Sequence, residues 1–171
     1  MKSTSRIIVS ALAATLLITF CTFAAEKETE KVKKKEFALK QIGTVKKTDG
    51  RTMLVMNKDV ESALLGLDGF SHVLVFWWFD KNDTPEKRKV LQVHPRGNQE
   101  NPLTGVFACR CPMRPNLLAL TNCKIISVKD NVVEVENIDA FDGTPILDLK
   151  GYLPGYDSAE NAKAPTWRFK K

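Results

Sequence analysis

His72-Val73-Leu74-Val75-Phe76-Trp77-Trp78-Phe79 is almost wholly apolar after its histidine. A run of this length, rich in valine and aromatic residues, is a strand buried on both faces or one lining a closed barrel. Asp80-Lys81-Asn82-Asp83 ends it abruptly in polar residues. Shorter strands are expected on either side, over Phe37 to Val45, Thr52 to Met56, Val90 to His94 and Ile146 to Lys150. Asp49-Gly50 supplies the turn between the first two. Leu117 to Lys129 and Val132 to Glu136 read as a hairpin across Asp130-Asn131, where Val133 and Val135 alternate with Glu134 and Glu136 as on a strand with one wet face. Lys58 to Leu67 carries Val60, Ala63, Leu64 and Leu67 at helical spacing, with Asn57 as N-cap and Gly69 just past the end. Short strands, tight turns and little helix predict a mainly β domain, a small β-barrel with one or two short helices.

Gly105 to Asn116 is the stretch with the most pointed chemistry. A strand-like piece, Val106 to Ala108, runs into Arg110 and Arg114, with Pro112 between them and Pro115 after the second. Proline fixes its own φ and pushes its predecessor toward extended geometry, so both guanidinium groups ride on a stiff loop. Each is a planar fork suited to carboxylate or phosphate. Two readings stand: a binding loop, or a loop stapled to nearby carboxylates.

The 171 residues carry 26 Lys and Arg against 20 Asp and Glu, a net charge of +6. Lys2 and Arg6 lie in a leader without acids, so the remainder is nearer +4. That balance permits an anionic partner without requiring one. Residues 1–25 read as a signal peptide or signal anchor. Ile7 to Phe20 is largely apolar, and Thr22-Phe23-Ala24 offers a small-x-small cleavage pattern. The clustered small residues favour cleavage, but the apolar stretch is nearly long enough to anchor the chain through residues 7–25. Either way the body is expected outside the cytoplasm, periplasmic or membrane-anchored. Residues 26–38 form a mixed-charge linker with little to bury. The barrel domain is expected over residues 39–168, large enough for one core.

His72 and His94 sit at strand ends without metal-ligand spacing and read as hydrogen-bonded structure. Cys109, Cys111 and Cys123 read as small buried thiols, since a Cys-x-Cys bridge closes a strained ring. Asp139, Asp142 and Asp148 cluster late in the chain. Asp142 reads as a turn former and Asp148 as a wet strand position; the functional alternative sets one of the three opposite Arg110 or a cationic ligand. No catalytic triad, Walker loop or dinucleotide fingerprint is present. The residues by themselves give a ligand-binding β domain whose reaction is undetermined.

Several segments in order resemble the TsaA-like family, also called TrmO or YaeB-like. They are Ile42-Gly43, Leu67-Asp68-Gly69-Phe70-Ser71-His72, His94-Pro95-Arg96-Gly97-Asn98, and Asn101-Pro102-Leu103-Thr104-Gly105-Val106-Phe107-Ala108 with Arg110 and Arg114-Pro115-Asn116. Asp139-Ala140-Phe141-Asp142-Gly143-Thr144-Pro145, Asp148-Leu149-Lys150 and Tyr152-Leu153-Pro154 complete the set. The resemblance implies a β-barrel methyltransferase that uses S-adenosylmethionine. It acts on the exocyclic amine of threonylcarbamoyl-adenosine beside the tRNA anticodon, and it works as a homodimer. By similarity the cofactor pocket takes Arg110, Leu120, Asp80, Lys81, Glu136, Asn137, Ile138 and Asp139. Arg110 would pair with the methionine carboxylate, and Asp139 would meet the ammonium or a ribose hydroxyl. Arg114 and Arg96 would contact the RNA backbone.

The chain departs from the family's pattern in several places. The family's early Pro-Arg-Gln segment has no counterpart near Thr48 to Arg51. Its strand-end His is Asp80, and its Thr and Ser beside Arg110 are Cys109 and Cys111. The leader also sits awkwardly with tRNA work. Three expectations follow: a tRNA methyltransferase that is cytoplasmic if the leader is not functional, or held at the inner face of the membrane by it; an exported TsaA-like module binding another small molecule; and an interaction protein with a dead pocket.

Overall fold

The computed structural model describes residues 35–169. The leader read over residues 1–25 and most of the linker over residues 26–38 lie outside the described residues. Contacts divide the chain into two units, Met1–Ala38 and Leu39–Lys171, and the second carries everything that follows. Among the described residues no helix is long and apolar enough to cross a membrane.

Six antiparallel strands close into a barrel in the order β1-β2-β7-β6-β3-β8. They are β1 (Gly43–Thr48), β2 (Arg51–Met56), β3 (His72–Trp78), β6 (Leu118–Lys129), β7 (Val132–Glu136) and β8 (Pro145–Gly151). A two-stranded ribbon, β4 (Gln92–Val93) with β5 (Thr104–Gly105), stands apart from it. Two single-turn α-helices, α1 (Pro85–Arg88) and α2 (Pro154–Asp157), and several short 3-10 turns lie between the strands.

Closure is centred on β3, which pairs with β6 along seven positions from His72↔Lys124 to Trp78↔Leu118, and with β8 on its other edge. Its side chains alternate: Val73, Val75 and Trp77 are buried, and the residues between them are half-buried. Of the two readings of this run, the barrel-lining one is correct. The inward residues pack with Val45, Leu54, Met56, Val133, Val135 and Ile146 from the other strands. Trp77 faces the small Ala119 across the sheet. Its indole N–H reaches Thr121 Oγ1 at 3.0 Å, and its ring meets Phe79 edge-on at 4.8 Å. Register slips by one residue at Leu147, between the pairs Phe76↔Asp148 and Trp77↔Ile146. A second slip falls at Ile126. Such bulges bend a sheet, as closing six strands requires.

Four local expectations are corrected. The first strand begins only at Gly43, where an added Cβ would stand 2.8 Å from the Val55 carbonyl oxygen. Lys58 to Leu67 is not an α-helix. A 3-10 helix over Lys58–Leu64 stops before Gly66, which is left-handed at φ 81°, and a second 3-10 turn covers Leu67–Gly69. The Asn57 side chain does not cap; it donates to the Gln41 carbonyl. Val106 to Ala108 is a turn, closed by Ala108 N–H to the Gly105 carbonyl at 2.9 Å. The β1–β2 hairpin turns at Asp49-Gly50 with φ of 51° and 75°, the doubly left-handed turn whose twist matches a hairpin.

Thr144 is fully buried, and its hydroxyl finds no hydrogen-bond partner. Its backbone carbonyl is occupied by Val45 N–H at 2.9 Å. A buried orphan hydroxyl costs about 1–3 kcal/mol of desolvation. Thr144→Val keeps the shape and removes that cost, so it is expected to stabilise the protein by about 1 kcal/mol in urea unfolding. A loss of stability would mean that the hydroxyl has a partner in solution.

Candidate functional site

The end of β3, the start of β6 and the loop from β7 to β8 meet at one rim of the barrel, because β3 pairs antiparallel with both β6 and β8. Over this rim lies the arginine loop, residues 106–117. Its last residue, Leu117, is fully buried and accepts a hydrogen bond from Phe79 N–H at 2.9 Å. On the far side, the 137–144 segment is pinned by Lys47. Its amide donates to Asp142 Oδ1 at 2.9 Å, and its ammonium lies 3.4 Å from the Ile138 carbonyl. Asp142 is therefore a loop fastener. Asp148 Oδ1 accepts from Leu149 N–H, and its Oδ2 pairs with Lys150.

Two cavities flank the loop. The larger, about 880 Å³, is lined by Asp80, Lys81, Arg110, Arg114, Leu120 and Asp139 among others. The smaller, about 650 Å³, takes His94, Arg96, Cys109, Arg110, Cys111, Met113, Asp139 and Trp167. Arg110 and Asp139 border both, so they form part of the wall between them. Leu118 and Leu120 alternate with buried Ala119 on β6 and are 38% and 39% exposed. The larger cavity thus runs from the barrel mouth onto the outer face of β6.

Five of the eight expected cofactor residues meet in this larger cavity: Asp80, Lys81, Arg110, Leu120 and Asp139. The other three line neither cavity. Ile138 is a core residue, only 7% exposed. Glu136 pairs with Lys124 across the sheet at 3.5 Å. Asn137 turns the chain at φ 69°. The left-handed residue directs the chain out of β7 before Asp139, and of Glu136 to Asp139 only Asp139 lines a cavity. Arg114 lines the larger cavity and Arg96 the smaller.

Neither Arg110 nor Arg114 belongs to an ion pair among the described residues. The loop is stapled instead by Arg88, a residue without a role in the sequence reading. Its Nε donates to Asp83 Oδ1 at 2.8 Å, and its Nη1 reaches the Pro115 carbonyl at 3.1 Å. Thr84 starts the α1 turn with its side chain accepting from Lys87 N–H, and Pro85 follows it. A threonine cap ahead of a proline at the first helical position was the available signal. Two exposed rings were also unread. Phe107 carries the Arg114 guanidinium at 6.0 Å, and Phe141 carries the Lys81 ammonium at 4.4 Å. Cation and aromatic face are thus paired on both lips of the larger cavity.

His94 and His72 are structural, as read. His94 Nδ1 is 2.8 Å from the Asn101 carbonyl, and Asn101 Nδ2 donates to the Pro95 carbonyl at 2.9 Å. His72 Nδ1 lies 2.9 Å from Ser71 Oγ, and its ring meets Tyr152. Cys123 is buried, with its thiol pushed up to about 12 by burial. Cys109 and Cys111 are only half-buried, which corrects the expectation of three buried thiols.

Asp83 accepts from both Arg88 and the Trp78 indole. The hydrogen bond from Arg88, then that from Trp78, holds its carboxyl below the usual carboxylate range. A group whose folded pKa is depressed contributes stability above its unfolded pKa and loses it as pH falls through the folded one. Asp83→Asn is therefore expected to be less stable than the parent above about pH 4. The gap should close as acid protonates Asp83, read by tryptophan fluorescence in thermal melts. A gap independent of pH would assign the loss to packing.

A closed antiparallel barrel whose rim holds an arginine loop between two cavities defines a β-barrel ligand-binding domain. The chain belongs to the family described as the tRNA-methyltransferase O N-terminal domain, whose model matches residues 27–158. It is 43% identical over 114 residues to a protein of Methanocaldococcus jannaschii described as a probable S-adenosyl-L-methionine-binding protein, covering 67% of this chain and 90% of that one. It is 40% identical over 105 residues to the tRNA (adenine(37)-N6)-methyltransferase of Homo sapiens, covering 61% of this chain but 23% of that one. The solved structure of TrmO from Pseudomonas aeruginosa superposes with a TM-score of 0.61 at 22% identity, covering 77% of this chain and 63% of that one. The chain thus spans nearly all of the archaeal relative and less than two thirds of the bacterial structure. The barrel is the fold of that structure.

Proposed function

We propose that this chain is an S-adenosylmethionine-dependent methyltransferase acting on the N6 amine of threonylcarbamoyl-adenosine at position 37 of tRNA. The observation that carries the reading is the larger cavity, where Arg110, Asp139, Asp80 and Leu120 converge. These residues suit the cofactor's parts. A guanidinium fork matches an amino-acid carboxylate. Asp139 and Asp80 offer acceptors for an ammonium and ribose hydroxyls. Leu118 and Leu120 give an apolar wall for a base. A cavity of about 880 Å³ falls within the range of small-molecule sites, ~300–1,000 Å³. The relatives described as S-adenosyl-L-methionine-binding and as tRNA methyltransferases support the same reading.

Bound there, the cofactor supplies an electrophilic sulfonium methyl. The chain's own task is placement, since in-line approach of an amine contributes more than a strong base. Arg110 fixes the amino-acid end from the loop, and the wall of Leu118 and Leu120 fixes the flat end. Lys81 and Arg114 stand at the lips of the same cavity, where phosphates of an incoming anticodon loop would be held in a salt-dependent way. Arg96 extends this line of cations to the neighbouring cavity. A homodimer belongs to the same reading, supported by Phe107 and Leu103, which are 79% and 58% exposed.

The apolar leader favours a second reading, an exported or membrane-anchored TsaA-like module that binds a small molecule without methylating tRNA. The mass of the mature N-terminus separates the two. Cleavage after Ala24 or Ala25 supports the exported module; an intact leader fits inner-face anchoring through residues 7–25 or a cytoplasmic enzyme. The direct test is label transfer by the full chain from methyl-labelled S-adenosylmethionine to tRNA bearing threonylcarbamoyl-adenosine. Label on that nucleoside is expected, and cofactor binding without transfer would support the second reading.

A further inference from the structure

Phe141 is 65% exposed, yet the chain on either side of it is tied down. Ala140 before it is buried. The Phe141 carbonyl accepts from Thr144 N–H at 3.3 Å, closing a turn whose third residue, Gly143, is left-handed at φ 82°. Gly143 N–H donates to the Val45 carbonyl at 2.8 Å, and Asp142 Oδ1 accepts from Lys47 N–H at 2.9 Å. Both anchors lie on β1, so the exposed ring stands on a fixed turn. The Lys81 ammonium lies 4.4 Å from its centroid. Lys81 belongs to a 3-10 turn, Asp80–Asn82, and its carbonyl accepts from the Lys87 ammonium at 3.1 Å. Ring and ammonium both line the larger cavity. Lys81 belongs to no ion pair among the described residues.

An aromatic face beside such a cation matches a ligand that is both flat and anionic, which is the chemistry of a nucleotide. Single-stranded RNA is read by bases splayed out onto aromatic side chains, with the backbone on basic ones. The cofactor's own base has its wall in Leu118 and Leu120, so the ring at the lip is left for the other reactant. An enzyme that does chemistry on a base must also take that base out of its stack and give it a new surface.

We propose that Phe141 is the platform on which the target purine, turned out of the anticodon loop, stacks at the mouth of the larger cavity, with the Lys81 ammonium on an adjoining phosphate. The inference rests on the tRNA reading above and adds the surface that receives the base. Stacking reads the π-face of a base and tolerates any sequence, so Phe141 positions the purine and leaves its modification to be recognised elsewhere.

Filter binding of the full chain to two anticodon stem-loop RNAs tests it, one with adenine at position 37 and one abasic there. The parent should prefer the adenine RNA by roughly 5- to 150-fold, the range for one stacked base. Phe141→Ala and Phe141→Leu should bind the two alike, and Phe141→Trp should keep the preference. Leucine supplies apolar bulk without a π-face, so a structural role would spare Phe141→Leu. Two further measurements read the other occupants of the lip. Affinity for S-adenosylmethionine in calorimetry, and mass in light scattering, should be the same for Phe141→Ala as for the parent. Weaker cofactor binding would assign the ring to the cofactor, a changed mass would assign it to a second copy, and either would overturn the proposal. So would a parent that binds both RNAs alike, or a preference that survives in Phe141→Ala. A preference lost in Phe141→Ala, in a parent that transfers no methyl group, would uphold the platform and sink only the methyltransferase reading.

Discussion

Trp77→Ala is expected to remove about 3–5 kcal/mol of folding stability, the cost of truncating a large buried aromatic. That is a large share of the 5–15 kcal/mol that holds a typical domain folded, so the variant should unfold at much lower urea. Trp77 is 6% exposed and fills the space left by Ala119 opposite it. Its removal leaves a cavity that the closed barrel cannot collapse to fill. It also strands the Thr121 hydroxyl and frees the Phe79 ring that covers the start of the rim. Trp77→Phe keeps most of the volume and loses the indole donor, so about 1 kcal/mol is expected. Urea titration of both variants separates packing from the hydrogen bond. Equal losses would place the energy in the donor.

Arg110→Ala is expected to weaken S-adenosylmethionine binding by about 2–3 kcal/mol, roughly 30- to 150-fold in Kd, the range for a hydrogen bond to a charged group. Folding stability should be unchanged within ~0.5 kcal/mol, because Arg110 is exposed and no ion pair among the described residues holds it. Arg110→Lys keeps the charge and loses the planar fork, so it should recover only part of the affinity. Arg114→Ala provides the contrast. It stands at the lip over Phe107 and should leave cofactor affinity near the parent's while reducing retention of tRNA. Calorimetry and filter binding read the two effects separately.

The run from His72 to Phe79 is open to two readings because both of its faces are apolar. The inner face fills the barrel, while the outer face is covered by long basic side chains. Lys150 lies over the Phe76 ring at 5.9 Å and Arg88 over Trp78 at 5.3 Å. Such stems cover apolar surface while their charges stay in water, so an outer face can be as apolar as an inner one. Periodicity failed at Lys58 to Leu67 because Gly66 takes a left-handed turn that resets the face. It failed at Val106 to Ala108 because three apolar residues in a row read as a strand, whereas the turn buries only Val106 and leaves Phe107 and Ala108 exposed.

For the site, the resemblance named residues far apart in sequence, Asp80, Lys81, Arg110, Leu120 and Asp139, that the fold brings to one cavity. Glu136, Asn137 and Ile138 line neither cavity, because the positive φ at Asn137 turns the chain ahead of Asp139. Arg88 went unread because a staple between a side chain and a backbone carbonyl leaves no motif. Its cap and proline were legible, but its partner at Pro115 is 27 positions away.

The central claim is that the Arg110 guanidinium grips an amino-acid carboxylate at the barrel rim. Calorimetry of the full chain with S-adenosylmethionine and with its decarboxylated analogue, each against the parent and Arg110→Ala, tests it most directly. The account predicts that the parent prefers the carboxylated ligand by roughly 30-fold or more and that Arg110→Ala binds the two alike. Equal affinity of the parent for both ligands, or a preference that survives in Arg110→Ala, would contradict it.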